Sequence, residues 1–109
     1  MATKVSVRNL AATVTQLAGG PSNLKSITVV NSSAAAAFVQ FFDLVPGSVT
    51  LGTTAPILEV EVAAGGTVGI AYPGDSALLF GVAISVASTT TDGGLTGSAA
   101  GVSVTLGVA

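Results

Sequence analysis

The feature that most constrains this chain is an alternation of apolar and polar residues with a period of two. It is clearest in "KVSVRNL" at 4–10, "ILEVEVA" at 57–63 and "VSVTLGV" at 102–108. Successive side chains of a β-strand point to opposite faces of a sheet, so a strand with one buried face shows this period. The alternation therefore predicts strands that pack one face against a core.

Turn-forming residues separate these stretches at short intervals, as in "GGPSN" at 19–23, "VPGS" at 45–48 and "AAGG" at 63–66. Many short strands joined by such turns are typical of a sandwich or barrel. Between the turns we predict about eight strands, at residues 3–9, 12–18, 25–31, 36–43, 57–63, 67–72, 78–87 and 102–108.

This pattern predicts an all-β fold: a single-domain β-sandwich over residues 1–109 that is jelly-roll-like, with two four-stranded sheets packed face to face. An immunoglobulin-like sandwich is the alternative, but the Cys…Trp…Cys spacing of true immunoglobulin domains is absent.

One predicted strand passes through "AFVQFFDL" at 37–44, where a short helical turn at 33–37 is the alternative because four alanines precede the first Phe. Phe41 and Phe42 must point to opposite faces of this strand. Either one of them faces a partner surface, or the strand is an inner one that is covered on both sides. We favour the buried inner strand.

The composition excludes several classes of partner. Only 7% of the residues are charged, the net charge is −2, and Lys4, Arg8 and Lys25 are the only basic residues. Phosphate backbones and anionic membranes are recognised by clustered cations, so we expect neither a nucleic-acid partner nor a membrane partner. The start of the sequence lacks the apolar segment of a signal peptide, and the apolar run at 77–87 is too short to span a bilayer as a helix.

Glu59 and Glu61 are the one pair of carboxylates that resembles a catalytic constellation. Two residues apart on a strand, their Cβ atoms would lie about 7 Å apart on one face, a separation that suits a glycosidase pair. Such chemistry usually needs aromatic sugar platforms, and this chain has one Tyr and no Trp. Alternating charge also protects an edge strand from unwanted pairing. We therefore interpret the pair as a solvated or interface face.

Residues for nucleophilic catalysis, metal binding or nucleotide binding are also scarce. The chain has no His and no Cys, so a hydroxyl nucleophile would have only Lys4 or Lys25 as its base. The acidic residues, which are Asp43, Glu59, Glu61, Asp75 and Asp92, do not fall in a calcium-loop pattern. Neither "AAGGTVG" nor "DGGLTG" has the spacing of a nucleotide-binding loop. We expect no enzymatic activity, no catalytic or metal-binding residues and no cofactor.

Three phrases give the sequence a family resemblance: "VQFFD" at 39–43, "GTTAPILEVEVAAGG" at 52–66 and "FGVAISVASTTT" at 80–91. Together they resemble small virion proteins of tailed bacteriophages, over roughly residues 24–93. The resemblance implies a β-sandwich or jelly-roll structural protein, most often a capsid decoration (cement) protein. Such a protein bridges neighbouring subunits of the major capsid protein, often as a homotrimer, on the surface of a virion assembled in the bacterial cytoplasm.

Other roles stay open at this stage. Proteins of this appearance also occur as tail, fibre or head-tail adaptor components, and a virion-displayed carbohydrate-binding module with Tyr72 as a stacking face is a further alternative. Residues 1–8 are a candidate capsid-contacting arm, with Met1, Lys4 and Arg8 as the contact residues. The same residues are equally well explained as the first strand.

Overall fold

The computed structural model describes residues 3–8, 10, 13–19, 21–73, 77–91, 94, 97 and 101–108. Within these residues the chain forms nine strands: β1 (Thr3–Val7), β2 (Thr15–Gly19), β3 (Ser22–Asn31), β4 (Ala37–Phe42), β5 (Leu58–Val62), β6 (Thr67–Ala71), β7 (Leu78–Phe80), β8 (Ala83–Thr89) and β9 (Val102–Val108). A single 3₁₀ turn, Pro46–Ser48, is the helical element of this part of the chain.

The strands form two antiparallel sheets. The front sheet has the order β1-β9-β3-β6, with β7 also paired to β3, and the back sheet has the order β2-β8-β4-β5. The pairs are nested along the chain, because β1 pairs with β9, β2 with β8, β3 with β6 and β7, and β4 with β5. This is a long antiparallel ribbon rolled into two layers, which is the jelly-roll arrangement. The predicted all-β sandwich is confirmed.

The alternating residues supply the core between the sheets. In β9, Val102, Val104 and Leu106 are fully buried, while Thr105 between them is exposed on the other face. The same rule brings β3 and β4 into the core, together with the central residues of β8. The fully buried side chains of this cluster include Leu24, Ile27, Val29, Val39, Phe41, Val62, Ile84, Val86, Val102, Val104 and Leu106.

The prediction of one strand over 78–87 is wrong. Leu78–Phe80 is β7 and lies in the front sheet, whereas Ala83–Thr89 is β8 and lies in the back sheet. The chain changes sheets at Gly81 and Val82. Every residue of β8 is buried. The alternation that marks a half-buried strand is therefore absent and could not show where one strand ended and the next began.

The buried inner strand predicted near Phe41 and Phe42 is confirmed. β4 lies between β8 and β5, and both phenylalanines are buried. Phe41 belongs to the central core, while Phe42 points to the outer face of the back sheet. The helical turn considered at 33–37 is not formed, since residues 33–35 are bends that lead into the strand.

A buried asparagine holds this bend in place. The Asn31 amide nitrogen donates to the carbonyl oxygens of Ala35 at 2.9 Å and Val62 at 3.1 Å. Its Oδ1 accepts from the backbone N–H of Ser33 at 3.0 Å and from the Ser33 hydroxyl at 2.6 Å. Asn31 thereby joins the β3–β4 connection to the end of β5, and its own burial costs little because its polar atoms are paired.

Candidate functional site

The outer face of the back sheet is covered by the chain itself. The Ser85 hydroxyl donates to the carbonyl oxygen of Leu44 at 2.6 Å, so the segment after β4 crosses this face beside Phe42. Further along, Gln40 Nε2 donates to Thr89 Oγ1 at 2.9 Å and to the carbonyl oxygen of Gly94 at 3.1 Å. Gln40 is fully buried as a result. The centre of this face is therefore buried by the chain's own residues.

The outer face of the front sheet is open. The register places its residues in rows across four strands. One row is Ser6, Thr105, Thr28 and Gly69, and every one of these residues is exposed. We call this surface the open face, and define it as Lys4, Ser6, Ser26, Thr28, Val30, Thr67, Gly69, Ala71, Ser103, Thr105 and Gly107.

Small hydroxyl-bearing and apolar side chains make up this open face. Its only charged member is Lys4, at the β1 edge, and its largest apolar member is Val30, which is 42% exposed. A surface with a single charge avoids most of the free-energy cost of dehydrating ions, and its hydroxyl groups can form hydrogen bonds with a partner. Small side chains also let another backbone approach closely. The arrangement is suited to contact with a flat protein surface.

Of the candidate contact residues, Lys4 belongs to the open face and Arg8 follows the same strand. Lys4 is exposed on β1, and Arg8 is exposed in the bend that follows the strand. Met1 lies outside the described residues. Residues 3–7 form the edge strand β1, with Val5 and Val7 packed against the core. In this structure the segment is a strand of the sandwich, and its role in capsid contact stays a prediction.

Glu59 and Glu61 lie on β5, which is an edge strand of the back sheet. Their cross-strand neighbours on β4 are Gln40 and Phe38. Glu61 is exposed and Glu59 is half-buried. No pocket opens beside them in the described part of the chain.

Asp43 has a structural task that its sequence context does not reveal. Its carboxylate accepts from the backbone N–H groups of Val82 at 2.7 Å, Gly81 at 3.0 Å and Ala83 at 3.3 Å. The hydrogen bonds from Val82, Gly81 and Ala83, in this order of size, favour the charged form and lower the pKa of Asp43. The carboxylate thus fixes the corner where the chain leaves the front sheet for the back sheet.

Both oxygens of Asp43 are engaged in this corner, so the residue is poorly placed to bind a metal. Asp75 and Asp92 lie outside the described residues. Among the residues the structure does describe, no group of three potential ligands comes together. A signal for the corner could not have been found in the sequence, because Asp43 and Gly81 are 38 residues apart.

Exposed apolar side chains also flank the corner at Gly81. Leu79 is 69% exposed and Val82 is 53% exposed, on either side of the Gly81 corner. Tyr72 is half-buried, and its backbone N–H donates to the carbonyl oxygen of Lys25 at 2.8 Å.

In the described ranges there is no helix of the length and apolarity that crossing a membrane requires.

Comparisons of this chain with protein-family models, with curated proteins and with solved structures found no match.

Proposed function

We propose that this chain is a non-enzymatic structural protein of a tailed-bacteriophage particle, and that it acts as a capsid decoration protein that bridges neighbouring subunits of the major capsid protein. The observation that carries the proposal is the open face, which is four strands wide, largely exposed and has Lys4 as its single charged residue. The jelly-roll fold supports the proposal, because viral capsid domains are among the proteins that use it. The resemblance of residues 24–93 to small virion proteins supports it too.

The area of the open face limits how strongly one protomer can bind through it. Four strands about 4.8 Å apart and about 17 Å long cover roughly 300 Å². One partner of a standard stable interface buries about 800 Å². A single protomer would therefore attach weakly through this face alone.

Attachment becomes stable when several copies act together. Three open faces offer about 900 Å², which is comparable with one standard interface. After the first protomer of an oligomer has bound, the next binds at a high effective concentration. This supports the proposal that the chain decorates the capsid as an oligomer, with the homotrimer as the form the resemblance implies, and that it stabilises the head by linking adjacent subunits.

The experiment measures binding to purified heads that lack this protein, by co-sedimentation. The wild-type chain should bind with saturable stoichiometry and should raise the temperature at which the heads release their DNA. The variant Thr28→Glu/Thr105→Glu places two charges at the centre of the open face and should abolish binding. The control Thr53→Glu adds one charge at an exposed turn residue that is not part of the open face and should bind normally.

Two results would contradict the proposal. Wild-type protein that does not sediment with heads has no decoration role. Immunogold labelling confined to the tail would instead assign the chain to the tail, fibre or adaptor components.

A further inference from the structure

Within the described residues the sandwich has five edge strands, of which β7 is only three residues long. The other four differ in how they are protected against pairing with another chain. β5 carries Glu59 and Glu61, and β1 carries Lys4. β2 has a register shift between Gln16 and Ala18. Charges and irregularities of this kind are the usual means by which proteins block an exposed sheet edge.

The remaining edge, β6, has none of these protections. Its sequence is "TVGIA", without charge or proline, and it pairs with β3 over five residues in an unbroken register. Among the strands that the structure describes, β3 is the only one paired with it. An uncharged, regular edge strand is a template for a further strand.

The register shows which backbone groups are available. Asn31 N–H donates to the Gly66 carbonyl at 2.9 Å, and Tyr72 N–H donates to the Lys25 carbonyl at 2.8 Å. In an antiparallel ladder, hydrogen-bonded pairs alternate with non-hydrogen-bonded pairs. Between these two pairs, Val68 and Ile70 therefore bond to β3. The N–H and C=O groups of Thr67, Gly69 and Ala71 point outward.

We propose that the free edge of β6 pairs with the same edge of a second copy of this chain, antiparallel and centred on Gly69. In this register Gly69 lies opposite Gly69 of the second copy, and Thr67 lies opposite its Ala71. These are the outward-pointing residues, so each of the three resulting pairs exchanges two backbone hydrogen bonds. Val68 lies opposite Ile70 on the core side, and both are good β-formers.

A second copy fits this edge because the strand is self-complementary about its centre. A twofold axis brings identical residues together, so an edge with charges repels itself. The same twofold pairing centred on Val60 of β5 would place Glu59 of each copy opposite Glu61 of the other copy. On β6 it brings together only small and apolar side chains. Gly69 also leaves open space, since a Cβ there would meet no atom within 4 Å.

This inference goes beyond the proposed function and does not depend on it. Residues that share a face remain on that face across an edge-to-edge pair, so the two open faces would form one surface of roughly 600 Å². The contact is twofold, so it cannot by itself build a homotrimer. A trimer would need a separate contact.

The first test uses charge at the twofold centre. Light scattering behind size exclusion should give wild-type protein a mass of twice the 10.4 kDa chain, or an even multiple of it. Gly69→Lys and Gly69→Glu each place like charges opposite one another and should raise the dissociation constant by about tenfold or more. An equimolar mixture of the two variants should restore the dimer. The control Thr105→Lys adds the same charge on the same face of an inner strand and should leave the dimer intact.

The second test uses a covalent link. The chain has no cysteine, so a cysteine introduced by Gly69→Cys can form a disulfide only with its twin. The expected Cα–Cα distance of about 5.5 Å in a hydrogen-bonded pair lies within the disulfide range. Mild oxidation should give a dimer band on a non-reducing gel, and Thr105→Cys should give none.

The outcomes separate this inference from the proposed function. A monomeric wild-type protein, or an oligomer unchanged by both charge variants and not linked by Gly69→Cys, would overturn the edge pairing. Loss of head binding with Thr28→Glu/Thr105→Glu while the dimer persists would support both proposals.

Discussion

At the scale of single residues, Asp43 links the stability of the fold to pH. Its pKa in the folded protein is lowered from the ordinary value of 3.8, so the unfolded chain takes up the proton first. The stabilisation is fully present above this value and is lost as the pH falls through the lowered pKa of the folded state.

We expect Asp43→Asn to reduce stability at neutral pH, because the neutral amide is a weaker acceptor and turns an NH₂ group toward backbone donors. Urea unfolding at a series of pH values checks this. The wild-type protein should lose its advantage over the variant as the pH falls below about 4. Parallel pH profiles for the two proteins would contradict the role given to the carboxylate.

Gln40 provides a second residue-scale prediction. The residue is fully buried, and its Oε1 has no hydrogen-bond partner among the described residues. Its cross-strand neighbour is Glu59. Gln40→Glu would bury a carboxylate beside another carboxylate and should cost about 3 kcal/mol or more at neutral pH.

The pKa of the introduced carboxyl should be raised by burial, so the cost should shrink in mild acid. The control Gln40→Met keeps the length of the side chain and removes the unpaired oxygen, and it should cost less than Gln40→Glu at neutral pH. If Gln40→Glu destabilised the protein equally at neutral pH and in mild acid, the result would argue against a buried charge.

At the scale of elements, the charges on β5 are expected to act against association rather than for stability. Glu61 is exposed on an edge strand. Glu61→Thr should change the free energy of unfolding by about 0.5 kcal/mol or less, yet it should speed aggregation on heating. Glu61→Lys is the matched control, because it keeps a charge at the same place. Light scattering during a thermal ramp measures the difference, and identical aggregation of all three proteins would contradict it.

The elements also show where sequence reasoning succeeds. Alternation in "VSVTLGV" predicts β9 with both of its ends, because only one face of that strand is buried. The same reasoning fails at 78–87, where both faces of β8 are buried and the corner depends on a distant carboxylate. The pair Phe41 and Phe42 required cover on both sides of β4. That the segment after the strand supplies this cover follows from tertiary contacts such as the one between Ser85 and Leu44.

The sequence predicts the low charge of the candidate surface but not which face of the sandwich it occupies. Seven per cent charged residues predict a surface with little charge. Which face would be open depends on where the loops lie, and that is decided by side chains such as Gln40, whose contact with Gly94 spans 54 residues. The unprotected β6 edge likewise requires knowledge of strand order, because "TVGIA" reads the same in an inner strand.

At the scale of the whole molecule, the nested pairing should make folding slow. Thr3 pairs with Val108, and Val7 pairs with Val104. Closing such long loops costs entropy before the contacts that reward it can form. We expect the main refolding phase in stopped-flow fluorescence or circular dichroism to fall between milliseconds and seconds. A microsecond phase that recovers the full native signal would contradict this.

The position of β9 has a consequence for synthesis in the cell. β9 is the last strand described, yet it lies between β1 and β3 in the middle of the front sheet. While a ribosome is still making residues 102–108, β1 has no neighbour to pair with. The core also lacks the buried side chains of Val102, Val104 and Leu106. The protein can therefore be expected to reach its native fold only after release of this segment, and a nascent chain stalled before it would present bare strands to chaperones and proteases.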